Sequence, residues 1–215
     1  MNRIIGILIL AVCLLPGCTK SVRNAESLDP FSRQYTAIAT VKRDAASRVF
    51  IQLDEETILY PDNYPDPFVR ECRIVCAFSW KTGTQRCWME WMDYIEEGRV
   101  QGGDLPEGDP IEPEHDWMTS VEDAYLTLHY SAFWGDGRVA HSLILVTGEN
   151  PEDPYEVRLV HLCNGDPAIE KGDALVYFDL SSLPPTGEGG EILTLKWKNS
   201  AGGFDSRSYL FKSRQ

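Results

Sequence analysis

The sequence lacks the motifs that identify the common classes of enzyme. It contains no Gly-x-Ser-x-Gly elbow, no His-Glu-x-x-His zinc motif, no glycine-rich phosphate loop followed by lysine and no EF-hand pattern. Histidine is also scarce, with four in 215 residues. These absences predict a protein that is not an enzyme and that needs no cofactor.

Positive charge is also in short supply. Lys and Arg together number 20 against 33 Asp and Glu, which gives a formal net charge of -13. Nucleic acids and anionic bilayer surfaces both require a positive footprint on the protein that binds them. We therefore expect no nucleic-acid partner, and we expect membrane contact only through an anchor.

No apolar run is long enough to span a bilayer. The N-terminal run, Ile4 to Leu15, is about a dozen residues, whereas a spanning helix needs roughly 20. It follows a basic start and ends in Leu-Pro-Gly before Cys18, which is the lipobox pattern of bacterial lipoproteins. The pattern predicts a signal peptide over 1–17 and the covalent attachment of fatty acyl chains, among them palmitate, at Cys18.

Two or three acyl chains on one cysteine make a stable membrane anchor. Residues 18–34 are polar and are expected to form a lipidated tether between this anchor and the first domain. Thr19 stands where an aspartate would retain a lipoprotein in the inner membrane. We therefore predict an outer-membrane protein, lipid-anchored and facing the periplasm.

Helical periodicity is missing over any stretch longer than about two turns. Alternating apolar and polar residues run through both halves instead, separated by turns rich in Gly, Pro, Asn and Asp. The pattern predicts an all-β protein with an OB-type β-barrel over 35–100 and a C-terminal antiparallel β-sandwich over 117–215. The Gly-, Pro- and acid-rich segment 101–116 is expected to be an acidic linker between them.

The cysteines leave two alternatives open. Cys72 and Cys76 lie four residues apart on one predicted strand, about 13 Å, which is too far for a disulfide. Cys76 and Cys87 would lie opposite or diagonal to each other across a predicted hairpin, so they form a candidate disulfide. The alternative is that these three and Cys163 are all buried thiols.

Aromatic side chains mark a candidate ligand surface on the same hairpin. If its second strand alternates regularly, Cys87, Met89 and Trp91 face the barrel core, and the opposite face carries Trp88, Met92 and Tyr94. OB-type barrels commonly bind oligosaccharide, nucleic acid or protein on a sheet face. The alternative is that Trp88 and Tyr94 pack against the second domain or against the Tyr64-Pro65 loop.

Three histidines on predicted strands raise the question of a metal site. His129, His141 and His161 could converge on a metal together with Asp166. Single histidines scattered over a sheet are more often structural, so we predict no metal.

The order and spacing of several short segments resemble the NigD-like lipoprotein family. The matching segments are Thr40 to Lys42, Phe50 to Asp54, Thr57 to Pro61, Asp123 to Tyr130, Trp134-Gly135, Pro151 to Tyr155, Leu159 to His161 and Phe178 to Leu183. The resemblance covers about Tyr35 to Lys212 and implies an OB-type barrel followed by a β-sandwich. It supplies no set of catalytic or binding residues.

Together these observations predict a non-catalytic binding module of the cell envelope. The expected partner is another envelope protein, with bacteriocin immunity as a special case that the family resemblance suggests. The alternative is recognition of an envelope or dietary glycan, since exposed aromatic rings also stack on sugars.

Overall fold

The computed structural model describes residues 33–64, 70–81 and 83–214. The predicted signal peptide, the predicted lipid attachment at Cys18 and most of the predicted tether lie outside the described residues. All regular secondary structure in the described part is β-strand, which confirms the all-β prediction. Within the same residues, no helix has the length and apolar character required to cross a membrane.

The first domain is a closed five-stranded barrel. Its strands, in chain order, are β1 (Gln34–Arg43), β2 (Val49–Gln52), β3 (Ile58–Pro61), β4 (Cys72–Trp80) and β5 (Arg86–Tyr94). They pair in the order β1-β2-β3-β5-β4 and close through β4 and β1, with β3 and β5 parallel. This is the predicted OB-type barrel. Inward-facing residues such as Val41, Ile51, Ile74 and Phe78 fill it.

The second domain is a sandwich of two five-stranded sheets. Its strands are β6 (Glu96–Glu97), β7 (Arg99–Gly102), β8 (Glu112–Pro113), β9 (Ser120–Glu122), β10 (Tyr125–Trp134), β11 (Ser142–Thr147), β12 (Glu156–Leu162), β13 (Glu170–Asp179), β14 (Glu191–Lys198) and β15 (Phe204–Phe211). One sheet has the order β6-β13-β10-β8, with β9 also pairing with β10, and the other has the order β15-β14-β12-β11-β7. Leu126, Leu128, Leu159, Phe178 and Leu195 are among the fully buried residues between them.

The long hairpins of the sandwich are antiparallel as predicted, but three of its strand pairs are parallel. They are β6 with β13, β7 with β11, and β12 with β14. Between β12 and β14 the chain crosses to the other sheet to form β13 and then returns. Two crossings restore the chain direction, which is why β12 and β14 run parallel.

The acidic segment 101–116 is not a free linker. Residues Arg99–Gly102 pair with β11 and form the edge strand of its sheet, and Glu112–Pro113 pair with β10. Between them Asp109 forms a bridge with His161, and Ile111 is buried in the sandwich core. Sequence composition suggested a linker because Gly, Pro and carboxylates dominate the segment. Its backbone nevertheless completes both sheets.

The two domains meet along the outer faces of β1, β4, β10 and β13. Arg73 is fully buried there, and its guanidinium donates to Thr40 Oγ1 at 2.9 Å and to Thr127 Oγ1 at 3.1 Å. Its third partner is Glu122, at 3.4 Å. Ile38, Ile95, Tyr125 and Tyr177 form an apolar cluster at this junction, so the domains share a continuous buried contact.

Candidate functional site

A β-bulge in β5 rearranges the predicted ligand surface. Phe78 pairs with Met89 but Ala77 pairs with Trp91, so Glu90 is an extra residue. The bulge reverses the alternation beyond it, because paired residues point to the same side of a sheet. Trp91 therefore faces outward beside Trp88, and each indole is 45% exposed. The regular alternation that we expected at this hairpin is wrong.

Met92 and Tyr94 do not lie on the outer face with Trp88. Met92 pairs with Cys76 and packs against the barrel core. Tyr94 pairs with Ile74 on the inward side, but it lies at the end of the strand, where 53% of it is exposed. The three predicted surface residues are thus divided between the outer face, the core and the domain junction.

Tyr94 lies on a groove of about 360 Å³ at the domain junction. Val75 and Ile95 line the groove from the barrel side, and Leu175 lines it from the sandwich. Its other lining residues are Asp93, Glu96, Met118, His129, Asp173 and Ala174. The groove therefore combines an apolar floor with three carboxylates.

His129 is held in the groove by two carboxylates. Its Nδ1 is 2.7 Å from Asp116 Oδ2, and its Nε2 is 3.2 Å from Asp173 Oδ2. Burial alone would lower the pKa of His129, but the hydrogen bonds to Asp116 and Asp173 outweigh it and raise the pKa. Carboxylates only accept, so forming both bonds makes the ring an imidazolium.

The other two strand histidines form a buried chain with Asp166. His161 Nδ1 lies 3.2 Å from the Pro110 carbonyl, and its Nε2 lies 2.9 Å from His141 Nδ1. His141 Nε2 in turn lies 3.0 Å from Asp166 Oδ2. The His141 ring also stacks on Trp134, with ring centroids 4.1 Å apart. His129 has different partners, so the three histidines do not converge.

The direction of each hydrogen bond between these histidines can be derived from the Pro110 carbonyl, which lies at one end of the row. A carbonyl only accepts, so His161 carries its proton on Nδ1. Burial lowers the pKa of His161, so the ring is neutral and its Nε2 accepts from His141 Nδ1. One proton then lies between His141 Nε2 and Asp166. All four ring nitrogens have partners, and no group of metal-ligating side chains in the described ranges has the arrangement to hold a metal ion.

The candidate disulfide between Cys76 and Cys87 is not formed. Cys76 and Cys87, like Cys163, are thiols that form no disulfide. The hairpin register explains this, because Cys87 pairs with Trp80, four residues and about 13 Å along the strand from Cys76. Burial raises the pKa of both the Cys76 and Cys87 thiols to about 12, so neither is a nucleophile at neutral pH.

A second opening between the domains has a cavity volume of about 510 Å³. It lies between the β2–β3 turn, which carries Glu55, and the C-terminal residues Lys212 and Arg214. Part of its charge is paired, since Lys212 bonds Glu55 at 3.0 Å and Arg214 lies 3.4 Å from Asp123. Five carboxylates line the cleft against these two cations, so it is negative as well, but unlike the groove beside Tyr94 its lining includes a lysine and an arginine.

Solved structures whose fold resembles both domains of this chain come from Parabacteroides and Bacteroides species. A protein of Parabacteroides distasonis, provisionally described as toxin-related, is 24% identical with a TM-score of 0.71, covering 84% of this chain and 94% of that one. A NigD-like immunity protein of Bacteroides caccae is 15% identical with a TM-score of 0.57, covering 82% and 97%. A Bacteroides fragilis protein, provisionally described as a lipoprotein, is 10% identical with a TM-score of 0.61, covering 85% and 100%.

These identities are low, so the likenesses establish the fold alone. A comparison with curated proteins gave no match. The decisive match is to a family model, described as the NigD-like C-terminal beta sandwich domain, over residues 100–212. That range is more than half of the sequence and spans β7 to β15. The chain therefore belongs to the NigD-like family.

Proposed function

We propose that this chain is a lipid-anchored protein of the outer membrane, facing the periplasm, that acts by binding another envelope protein. The anchor is Cys18, and Thr19 favours outer-membrane sorting. The description of the Bacteroides fragilis structure as a lipoprotein supports the anchor. The description of the Bacteroides caccae structure as an immunity protein supports a binding role, of which bacteriocin immunity would be one form.

The observation that carries this proposal is the pair of outward indoles on β5. Trp88 pairs with Ser79, and Trp91 pairs with Ala77, so both rings stand on one barrel face. Each ring is 45% exposed, whereas Ser79 and Ala77 beneath them are buried. Tryptophan is strongly enriched among the residues that contribute most of the binding energy at protein interfaces.

The polar groups of the molecule support binding over catalysis. Both nitrogens of His141 and of His161 are engaged in a buried chain, and the thiols of Cys76 and Cys87 lie inside the barrel. The exposed β5 face instead offers apolar area with a polar edge, because Glu90 accepts from Ser79 Oγ at 2.6 Å beside the indoles. This composition is that of a recognition surface.

The test is affinity capture from crosslinked native envelopes with the lipidated protein tagged after Gln215. The wild type is compared with the double variant Trp88→Ala/Trp91→Ala. Phe204→Ala is the matched control, because Phe204 is also 45% exposed but lies on β15 of the sandwich. We expect the wild type and the control to retain one protein in near-equal amount, and the double variant to lose it without a change in melting temperature.

Retention of the same partner by the double variant would refute this assignment of the surface. A glycan ligand is the other outcome that exposed indoles permit, since they also stack on sugar rings. In that case envelope polysaccharide would raise the melting temperature of the wild type but not of the double variant, and no protein would be retained.

A further inference from the structure

We propose that the groove beside Tyr94 is a docking site for a lysine or arginine side chain of the protein partner. This inference rests on the proposed function and adds the chemistry of the partner to it. It would make the groove a second contact point next to the indole pair. The argument depends on the floor of the groove, its charge and its position.

The floor of the groove suits an aliphatic stem. Val75 and Leu175 pack against the buried cluster of Ile38, Ile95, Tyr125 and Tyr177, so the floor is fixed by the domain junction. Ala174 and Met118 complete the apolar lining. Lys and Arg are the side chains that lay an apolar stem along such a surface while their charged end stays at its edge.

The rim of the groove suits a cation. Asp93, Glu96 and Asp173 line it, and no lysine or arginine is among the described residues that do so. All three carboxylates are exposed, and the side chain of Asp173 is 73% accessible. Tyr94 adds an exposed aromatic ring, whose face attracts an ammonium or guanidinium group.

The contrast with the other interdomain opening strengthens this assignment. The cleft beside Glu55 is also negative, with five carboxylates and two cations in its lining, but Lys212 and Arg214 would repel a lysine or arginine of a partner. Among the described residues that line the groove, the one cation is the His129 imidazolium, which lies between Asp116 and Asp173. Three exposed carboxylates against one internal cation leave the groove negative, so it complements a positively charged partner.

The position of the groove places it beside the proposed protein-binding face. Along the β4–β5 pairing, Ala77 with Trp91 is followed two residues further along by Val75 with Asp93. Both pairs lie on the outer face of the barrel, so the indole surface continues directly into the rim. A partner segment bound over Trp91 would reach Asp93 within about 7 Å, the length of two strand residues.

The experiment measures binding of decalysine to the purified soluble protein at moderate salt, by calorimetry and by backbone amide shifts. The groove variant is Asp93→Asn/Asp173→Asn. The matched control, Glu191→Gln/Asp205→Asn, removes the same charge from exposed positions on β14 and β15. We expect the groove variant to weaken Kd about tenfold, the control to leave Kd unchanged, and the amide shifts to centre on Val75 and Leu175.

Three results would overturn the inference: no binding to the wild type, an equal loss in both variants, or amide shifts elsewhere. Equal losses would mean that decalysine responds only to the net charge. Because this assay contains no envelope partner, a negative result would leave the affinity-capture evidence for Trp88 and Trp91 unaffected. Conversely, if affinity capture failed while decalysine bound, the groove would be a cation-binding site without the proposed protein partner.

Discussion

Two histidines, one in each sheet of the sandwich, are placed in opposite electrostatic environments. Carboxylate partners raise the pKa of His129 despite its burial, whereas burial lowers the pKa of His161. The ordinary value for both is 6.5. A histidine whose pKa is raised in the folded state stabilises the fold at pH values below its unfolded-state pKa. A histidine whose pKa is lowered in the folded state destabilises the fold in the same pH range. The two residues should therefore contribute oppositely to the pH dependence of stability.

The prediction concerns His129→Gln and His161→Gln. The His129 contribution is full below about pH 6.5 and is lost as the pH rises through the raised folded pKa. The His161 contribution is full above about pH 6.5 and is lost as the pH falls towards the lowered folded pKa. Urea unfolding should show His129→Gln costing more free energy at pH 5.5 than at pH 8.5, and His161→Gln the reverse. Each variant is the control for the other, and the same sign for both would contradict the assignment.

Strand alternation predicted that His129, His141 and His161 lie on strands. His129 and His161 do lie on β10 and β12, and His141 immediately precedes β11. Alternation did not predict their partners. His141 and His161 meet because β11 pairs with β12, and the turn after β12 brings Asp166 to His141. The partner of His129, Asp173, comes from β13, 44 residues away. Contacts across such distances depend on strand order, which periodicity does not contain. In the sequence, His129 stands between the apolar residues Leu128 and Tyr130, so alternation places its side chain on the outer face. That position was the one hint of the groove.

At the scale of elements, alternation predicted nearly every long strand but missed the two places where the pattern breaks. Glu90 interrupts β5 as a bulge, and a polar residue within an alternating run looks the same whether it is bulged or paired. Segment 101–116 has no periodicity, because its strands β7 and β8 are only four and two residues long. Both are held by partners from later in the chain, so local sequence could not reveal them.

Glycines in this segment provide a test of its packing. Gly103 and Gly108 both have positive φ, of 109° and 83°. A Cβ at Gly108 would lie 2.7 Å from the His161 carbonyl oxygen, whereas a Cβ at Gly103 would meet nothing within 4 Å. Gly103→Ala should cost about 1–2 kcal/mol from backbone strain, and Gly108→Ala about 2–4 kcal/mol, because overpacking adds to that strain. Urea unfolding measures both, and equal costs would mean that the segment is a detached linker.

At the scale of the whole molecule, a buried arginine joins the two domains. Arg73 comes from the barrel, and two of its partners, Thr127 and Glu122, come from the sandwich. Lys42 adds an ion pair with Asp123 at 2.7 Å beside it. These contacts surround the apolar cluster of the junction, so we expect barrel and sandwich to unfold as one cooperative unit.

Arg73→Met tests this coupling. The substitution leaves the hydroxyls of Thr40 and Thr127 without their buried donor, so we expect a loss of about 2–4 kcal/mol. We also expect the single unfolding transition to separate into two, monitored by amide hydrogen exchange for each domain and by calorimetry for the whole chain. Arg70→Met is the control, because its pair with Glu97 is exposed and worth little. A single transition in Arg73→Met would mean that the apolar cluster alone couples the domains.

The chain leaves the barrel and places β6 in one sheet, β7 in the other and β8 back in the first. Their partners β13, β11 and β10 all come later in the chain. A polypeptide that emerges N-terminus first can therefore close its barrel early, whereas β6, β7 and β8 remain unpaired until their partner strands have emerged. The junction groove is lined by β13, so it cannot form until Leu175 has emerged. The indole pair belongs to the barrel, so the two proposed contact points become available at different stages of chain emergence.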